Sequence, residues 1–362
     1  MINIHHFFPK PNKRFKGGIT HLAEFLVKKW EHEKFLLNPV NTYFFQPSKR
    51  SMGKFSLATA GNIFWIALKI ILTNKQDFIH FHTSKKNGLL KDLLAISIAE
   101  LFTQPKILLH IHFSDLENTL PNHFRNWSIK QLKKKKIICL TKKMQNDLIK
   151  QKIDSNQISY LPNFYRRTLT EQYNKQPFSI SFVGSIDERK GIFPLIKSLI
   201  NLQNKNIILH ICGTPANRTL AKKWSKIKKT ASIKIVDHGY LATEDLEKIL
   251  SKSLLFVLPS KKEGMPLSVL DAMAWGCICL VTRLDYLQDI DPKHMALNSF
   301  LQDNWKDFED QLEMLLGENQ IRTEKIKNSL QLVQAFSFEN FSKRLESIYQ
   351  NFCTKSTCNF PS

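Results

Sequence analysis

The sequence predicts an α/β fold of two Rossmann-like, doubly wound domains, and three observations carry that prediction. Short apolar runs alternate with longer amphipathic ones along most of the chain, the pattern of βαβ units on a parallel sheet. The alternation breaks once, in the polar stretch Pro162–Gln176, and then restarts. The length, 362 residues, exceeds the ~100–200 of one ordinary domain and suits two.

In the first half, strands are predicted at Ile2–Phe8, Asp77–His82, Lys106–His112, Ile137–Leu140 and Ile158–Leu161, with helices at Ile19–Trp30, Leu57–Leu72, Leu89–Leu101 and Lys142–Gln151. After the break, strands follow at Phe178–Val183, Ile207–Cys212, Ile233–Val236, Leu254–Leu258 and Cys277–Thr282. Helices are predicted between them at Gly191–Leu202, Ala216–Lys229, Thr243–Leu250 and Pro266–Trp275, and the tail Trp305–Phe352 reads as helical. The predicted domains are 1–170 and 171–336. Ligands of such sheets bind at the carboxyl ends of strands, which points to the cleft between the domains.

Charge is uneven. Residues 1–170 hold 28 Lys+Arg against 10 Asp+Glu, a net of +18, whereas residues 171–362 hold 25 against 21, a net of +4. The first half therefore suits an anionic partner: a membrane surface, a phosphorylated lipid or nucleic acid. Lys130, Lys133–Lys136, Lys142 and Lys143 form its densest cluster, and KQLKKKKIICL lacks the interleaved aromatics of RNA binders, which favours lipid over nucleic acid. The six cysteines, Cys139, Cys212, Cys277, Cys279, Cys353 and Cys358, form no Cys-x-x-Cys pair, so neither a disulfide framework nor a zinc site is expected. MINIHHFFPK lacks the build of a signal peptide. Phe55–Leu68 is uncharged but shorter than the ~18 residues of a membrane span.

The segment with most chemical information is PSKKEGMPLSVLDAMAWG, residues 259–276. It reads as strand end, loop and helix. Gly264 allows close backbone approach, Pro266 suits a first helical turn, and a helix N-terminus offers N–H groups to phosphate or sugar oxygens. Glu263 and Asp271 are set to face one cleft. This run resembles the Glu-x7-Glu signature of the retaining glycosyltransferases of glycosyltransferase family 4, also called glycosyl transferases group 1, with Asp271 in place of the second Glu.

The resemblance implies a GT-B fold, two Rossmann-like domains facing across a cleft, with the C-terminal helix 337–352 crossing back to the first. It implies a hexosyltransferase that moves a sugar from a nucleoside-diphosphate sugar to a hydroxyl with retention of configuration, without metal or other cofactor. It further implies that Glu263 holds donor sugar hydroxyls, that the backbone of Gly264, Met265, Pro266 and Leu267 holds sugar and diphosphate oxygens, and that Asp271 binds the ribose. In SFVGSIDERKGI, Lys190 matches the family's diphosphate-binding lysine, Ser185 stands where the family has Arg, and Arg189 is positioned to compensate. Gly17 and Gly18, before the first helix, match a phosphate-approach element, and His112 in LLHIHFSD matches a histidine beside donor and acceptor. Gly213 in ICGTP and Gly239 and Tyr240 in DHGYL match nucleotide neighbours. His112, Glu263 and Lys190 are thus the candidate catalytic residues.

Two features compete with this reading. His80/His82 and His110/His112 have the spacing of a chelating pair on a strand, but no third carboxylate ligand is evident. Asp289-Ile290-Asp291 has the spacing of a metal-binding D-x-D, but precedes Pro292 and reads as a loop, and RLDYL at 283–287 lacks the small residues usual there. The expected acceptor is a cell-surface polysaccharide or lipid-linked oligosaccharide precursor, as in lipopolysaccharide or capsule synthesis. The expected place is the cytoplasmic face of an inner membrane, peripherally bound. The rival functions are a nucleotide-sugar epimerase of the same fold and a basic nucleic-acid-binding protein.

Overall fold

The computed structural model describes residues 2–9, 17–45, 56–84, 87–113, 115–116, 122–168, 173–202, 204 and 206–354; Phe55 and Cys358 lie outside them. The chain forms two compact units, Met1–Pro162 with Phe341–Ser362, and Asn163–Asn340. The boundary lies at Pro162 rather than near 170. Residues 163–168 read as linker because they are polar, yet their polar groups bond within unit 2: Asn163 to Met265, Arg166 to Asp271, and Thr168 to the buried Glu247.

Unit 1 carries six parallel strands, β1 (Ile2–Phe8), β2 (Phe35–Asn41), β3 (Phe78–Thr83), β4 (Lys106–Ile111), β5 (Lys136–Cys139) and β6 (Ile158–Tyr160), in the order β2-β1-β3-β4-β5-β6. The connecting helices are α1 (Gly18–Lys29), α2 (Leu57–Ile71), α3 (Asn87–Ala99), α4 (Arg125–Leu132) and α5 (Lys142–Lys150). One sheet face, with Phe7, Ile79, Phe81, Leu109 and Ile111, packs on Ile63, Ile66 and Ile70 of α2 and Leu89, Leu93 and Ile96 of α3. The other carries histidines and meets the C-terminal helix described below.

Unit 2 carries β7 (Gln176–Val183), β8 (Ile208–Cys212), β9 (Lys234–Gly239), β10 (Ser253–Leu258), β11 (Ile278–Thr282) and β12 (Asn298–Phe300), all parallel, in the order β12-β11-β10-β7-β8-β9. Its helices are α6 (Ile192–Asn201), α7 (Arg218–Thr230), α8 (Thr243–Lys252), α9 (Leu267–Ala274), the short α10 (Leu287–Ile290), α11 (Trp305–Gly317) and α12 (Asn319–Val333). The last helix, α13 (Phe338–Thr354), places Phe341, Leu345, Tyr349 and Phe352 in the core of unit 1. Every β10 residue is buried, as befits a central strand covered on both faces.

Two glycines set the geometry of unit 2. Gly276 ends α9 at φ 67°, with Gly276 N–H donating to Met273 O and Cys277 N–H to Ala272 O, a Schellman C-cap. Gly191 begins α6 at φ 71°, and a methyl group on its Cα would collide with the Pro259 carbonyl. The loop from β7 to α6 is thereby pressed against the end of β10. Gly191→Ala should lower unit 2 stability by about 1–3 kcal/mol, from strained backbone plus the overlap, read as a drop in the urea midpoint at unchanged slope.

Candidate active site

Strand order in unit 2 reverses between β7 and β10, and open α/β sheets bind ligands beyond the carboxyl ends of strands at such a switch point. The loop leaving β7 carries Lys190; the loop leaving β10 carries Glu263. Lys190 Nζ donates to Glu263 Oε1 at 2.6 Å, Ser260 Oγ donates to the same oxygen at 2.5 Å, and Arg189 Nη1 lies 3.4 Å from it. Burial alone would raise the Glu263 pKa. The Lys190 charge and hydrogen bond, with the Ser260 hydroxyl, outweigh burial and hold it below the ordinary value. Glu263 is therefore an ionised hydrogen-bond acceptor at neutral pH, unable to protonate a leaving group. Its charge adds to burial in pushing the Tyr286 phenol well above the usual tyrosine range.

The β7–α6 loop is braced from within. Asp187 Oδ1 accepts the Lys190 backbone N–H at 2.8 Å, and Asp187 Oδ2 accepts Ser185 Oγ–H at 2.6 Å. Ser185 thus braces the loop through Asp187. Arg189 Nη1 also donates to Lys262 O at 3.0 Å, tying the two loops together. Gly213, at the end of β8, could not carry a side chain, since a Cβ there would overlap the Gly184 carbonyl. Gly239 turns the chain after β9 at φ 64°, and Tyr240 beside it is partly exposed.

Beyond Glu263, residues Gly264–Pro266 lead into α9. Pro266 sits at the N-cap rather than inside the first turn, and no side chain caps the helix, so its first N–H groups are left to other acceptors. Asn163 Nδ2 holds the Met265 carbonyl at 2.7 Å. Asp271, in the middle of α9, is buried and clamped by one residue. Oδ1 accepts the Arg166 backbone N–H at 2.7 Å, and Oδ2 accepts Arg166 Nη2 at 2.5 Å and Nε at 3.2 Å. Glu263 and Asp271 are therefore two separate ion-paired groups. Asp291 accepts three backbone N–H groups, from Met295, Ala296 and Leu297, so it anchors a loop; Leu287–Ile290 before it is a helical turn and not the loop its composition suggests. A cavity of about 530 Å³ in unit 2, lined by Arg283, Leu287, His294, Gln311 and Lys325 among others, includes none of the candidate residues.

In unit 1, His112 follows β4 and is half-buried. It ends a hydrogen-bonded chain. His112 Nε2 meets His82 Nδ1 at 2.9 Å, and His82 Nε2 meets His6 Nδ1 at 3.0 Å. The Tyr349 hydroxyl joins His6 Nε2 at 3.0 Å to His80 Nδ1 at 2.7 Å, and His80 Nε2 meets His110 Nδ1 at 3.1 Å. His110 Nε2 is buried with no partner. Burial, reinforced for the inner rings by one another, lowers all five pKa values: His6 and His112 to about 3, His80, His82 and His110 well below normal. Neutral imidazoles carry one donor and one acceptor each, and the buried Tyr349 O–H donates to one of its two histidine neighbours, so the chain has two polarities. One leaves an orphaned N–H on His110, the other an orphaned lone pair. Buried N–H groups are rarely orphaned, which favours the second polarity. In it His82 donates to His112 Nε2, and His112 carries its proton on Nδ1 as a donor.

Gly17 is the N-cap of α1 with extended backbone, and a Cβ there would meet nothing within 4 Å; Gly18 is the first residue of the helix. The fold itself does not demand glycine at 17. Sequence reasoning missed Arg166, Ser260, Asp187, His6 and Tyr349. His6 had a readable signal, since it shares the sheet-face period of the other histidines; the rest are set by tertiary contact.

Comparison with known proteins adds the following. Residues 167–331 match the family model of glycosyl transferases group 1. The protein named teichuronic acid biosynthesis glycosyltransferase TuaC of Bacillus subtilis is 24% identical over 272 residues, covering 67% of this chain and 65% of that one, so the match spans slightly under two thirds of that relative. The N,N'-diacetylbacillosaminyl-diphospho-undecaprenol alpha-1,3-N-acetylgalactosaminyltransferase of Campylobacter jejuni is 27% identical over 165 residues, 44% of this chain and 41% of that one. Among solved structures, sucrose-phosphate synthase from Thermosynechococcus elongatus aligns with a TM-score of 0.72 at 14% identity, over 98% of this chain and 100% of that one. The fold is of the GT-B class, and the stretch that matches the glycosyltransferase family model lies within unit 2.

Arg166→Ala leaves the buried Asp271 carboxylate unpaired and should cost about 3–5 kcal/mol in urea unfolding. The histidine chain makes stability fall with acid. Folded-state pKa values below the unfolded value mean that, below pH 6.5, the unfolded chain takes up protons the folded one refuses. Stability is full above pH 6.5 and is lost toward pH 3, each histidine contributing a slope of about 1.4 kcal/mol per pH unit. Urea midpoints measured from pH 7 to 5 should show the decline, and His6→Gln should flatten it.

Proposed function

We propose that this chain is a retaining hexosyltransferase that takes a sugar from a nucleoside-diphosphate donor and attaches it to a hydroxyl of a cell-surface polysaccharide or lipid-linked oligosaccharide precursor. The observation that carries the reading is the Lys190–Glu263 pair at the switch point of unit 2, beside the uncapped start of α9. The Campylobacter relative is named for transfer to a diphospho-undecaprenol-linked acceptor, which supports a lipid-linked substrate.

In this mechanism Glu263 accepts hydrogen bonds from donor sugar hydroxyls. Lys190, with one of its three N–H donors on Glu263, turns the others to the diphosphate. Arg189 adds a second positive group, taking the place left by Ser185. The N–H groups of the Gly264–Leu267 segment hold sugar and phosphate oxygens. Asp271 Oδ1 has room for one more donor, the ribose hydroxyl. Gly17 and Gly18 offer backbone N–H groups, Gly213, Gly239 and Tyr240 border the nucleotide, and His112 donates from Nδ1 to a substrate oxygen. The bond from the anomeric carbon to the diphosphate breaks, the acceptor oxygen bonds to the same face, and its proton passes to the departing diphosphate oxygen. Glu263 takes no part in proton transfer, in keeping with its lowered pKa. No metal enters the scheme. The basic surface of residues 1–170 would hold the enzyme to an anionic membrane at its cytoplasmic face.

A thermal-shift series with UDP, GDP and dTDP tests the donor assignment. A nucleotide at 100 times its Kd should stabilise the protein by about 2.7 kcal/mol. Lys190→Ala should abolish the shift and cut donor turnover by about 10²–10³-fold. Because it also takes the nearest counter-charge from the buried Glu263, its unliganded melting point should fall, and the nucleotide shift is read against that lower value. Absence of a shift with every nucleotide, or an undiminished rate in the variant, defeats the assignment.

A further inference from the structure

The outward stripe of α2 has no polar residue. Its exposed positions are Leu57, Ala60, Phe64 and Leu68, with Leu72 following the helix, spaced as one helical face. Leu57 is 94% exposed, Phe64 69% and Leu72 69%. The inward face of the same helix, Ile63, Ile66 and Ile70, is fully engaged in the core, so α2 presents apolar side chains on its outward face as well as its inward one, as a helix covered on both sides does. The adjoining α3 adds Ile98, and the turn just after it adds Leu101 at 79% and Phe102 at 73% exposure. Exposed large apolar side chains gathered on two packed helices mark an interaction surface.

The neighbouring charges indicate what meets it. α4 packs on α3 and carries Lys130, with Lys133 and Lys134 just after its end; all three are exposed and, among the described residues, in no ion pair. Lys69 is the one charged residue of α2 and lies over the Trp65 ring. Apolar side chains bordered by unpaired lysines match the boundary between acyl chains and anionic headgroups. No helix among the described residues is long and apolar enough to cross a membrane, so α2 would lie along the surface, not through it.

We propose that the exposed stripe of α2 and the end of α3 form a monotopic docking surface that inserts into an anionic bilayer, with the lysines on and just after α4 set on the headgroups. This deepens the membrane partner proposed above and does not depend on the sugar chemistry.

The test is flotation of the full chain with vesicles of phosphatidylcholine and phosphatidylglycerol (7:3), and of phosphatidylcholine alone. The wild type should float with the anionic vesicles. The pair Phe64→Glu/Leu68→Glu, and independently Leu101→Glu/Phe102→Glu, should each reduce bound protein at least about tenfold. Both should keep the melting point and the nucleotide-induced shift. Lys130→Glu/Lys133→Glu/Lys134→Glu should remove the preference for anionic vesicles. Variants that float like the wild type overturn the stripe as the contact while the membrane reading stands. A wild type that does not float overturns both and leaves the donor assignment intact. A wild type that is dimeric by light scattering, becomes monomeric in the Phe64 variant and never floats shows a second copy on the stripe instead, and overturns the proposal.

Discussion

The hydrogen bond and ion pair between Lys190 and Glu263 is the constraint around which unit 2 is arranged. It joins the loops of two strands, β7 and β10, that are adjacent in the sheet but more than seventy residues apart in sequence. The pair can form only because the strand order reverses there, leaving the two connections to diverge and a crevice between them. Gly191, pressed on Pro259, sets the distance between the loops, and Ser260 and Arg189 hold the carboxylate from other sides. A buried pair with these supports has an ionised carboxylate whose direction is fixed, which suits binding of hydroxyl groups better than proton transfer.

Unit 1 uses the opposite chemistry at the ends of its strands. Its polar groups are neutral imidazoles in a single hydrogen-bonded file, and burial excludes the charged form. Such a file has little freedom. Protonating one ring would place a cation among neighbours that can each supply only one donor and one acceptor. The gain is a fixed tautomer at His112, set at the far end by the partnerless His110 nitrogen. Tyr349 closes the file from α13, so the tautomer depends on a helix at the end of the chain.

Much of the fold was legible because parallel strands buried on both faces read as unbroken apolar runs, as in Leu254–Leu258 and Cys277–Thr282. Strand β2 was not legible: FLLNPVN contains Asn38 and Pro39, and it lies at a sheet edge where such residues are tolerated. Helix α4, RNWSIKQL, has no sustained amphipathic period, and β12 is three residues long. The segment around Glu263 was legible because the strand–loop–helix order and the turn residues agree locally. Arg166 was not. Nothing in Asn163–Thr168 announces that its backbone and guanidinium both serve Asp271, more than a hundred residues on. Asp271 is one methylene shorter than a Glu would be, and the structure puts the short arm against Arg166, brought to it by the chain itself.

Charge accounting separates the two units further. Around the candidate donor site the charges are nearly matched: Lys190 and Arg189 face Glu263, with Asp187 beneath them, and Arg166 faces Asp271. Near the end of β9, Lys228 pairs with Asp237. A diphosphate would meet two nearby cations and a helix start there, a local and directional attraction rather than a broad positive field. In residues 1–170, with their +18 excess, Lys135, Lys143 and Arg166 are ion-paired, but Lys130, Lys133 and Lys134, on α4 and just after it, are exposed and in no ion pair among the described residues. Unpaired surface charge of one sign lowers stability through self-repulsion, and it is screened over about 8–10 Å at physiological salt. An excess of that kind acts on a partner large enough to face many lysines together, which an extended anionic surface is and a single nucleotide is not.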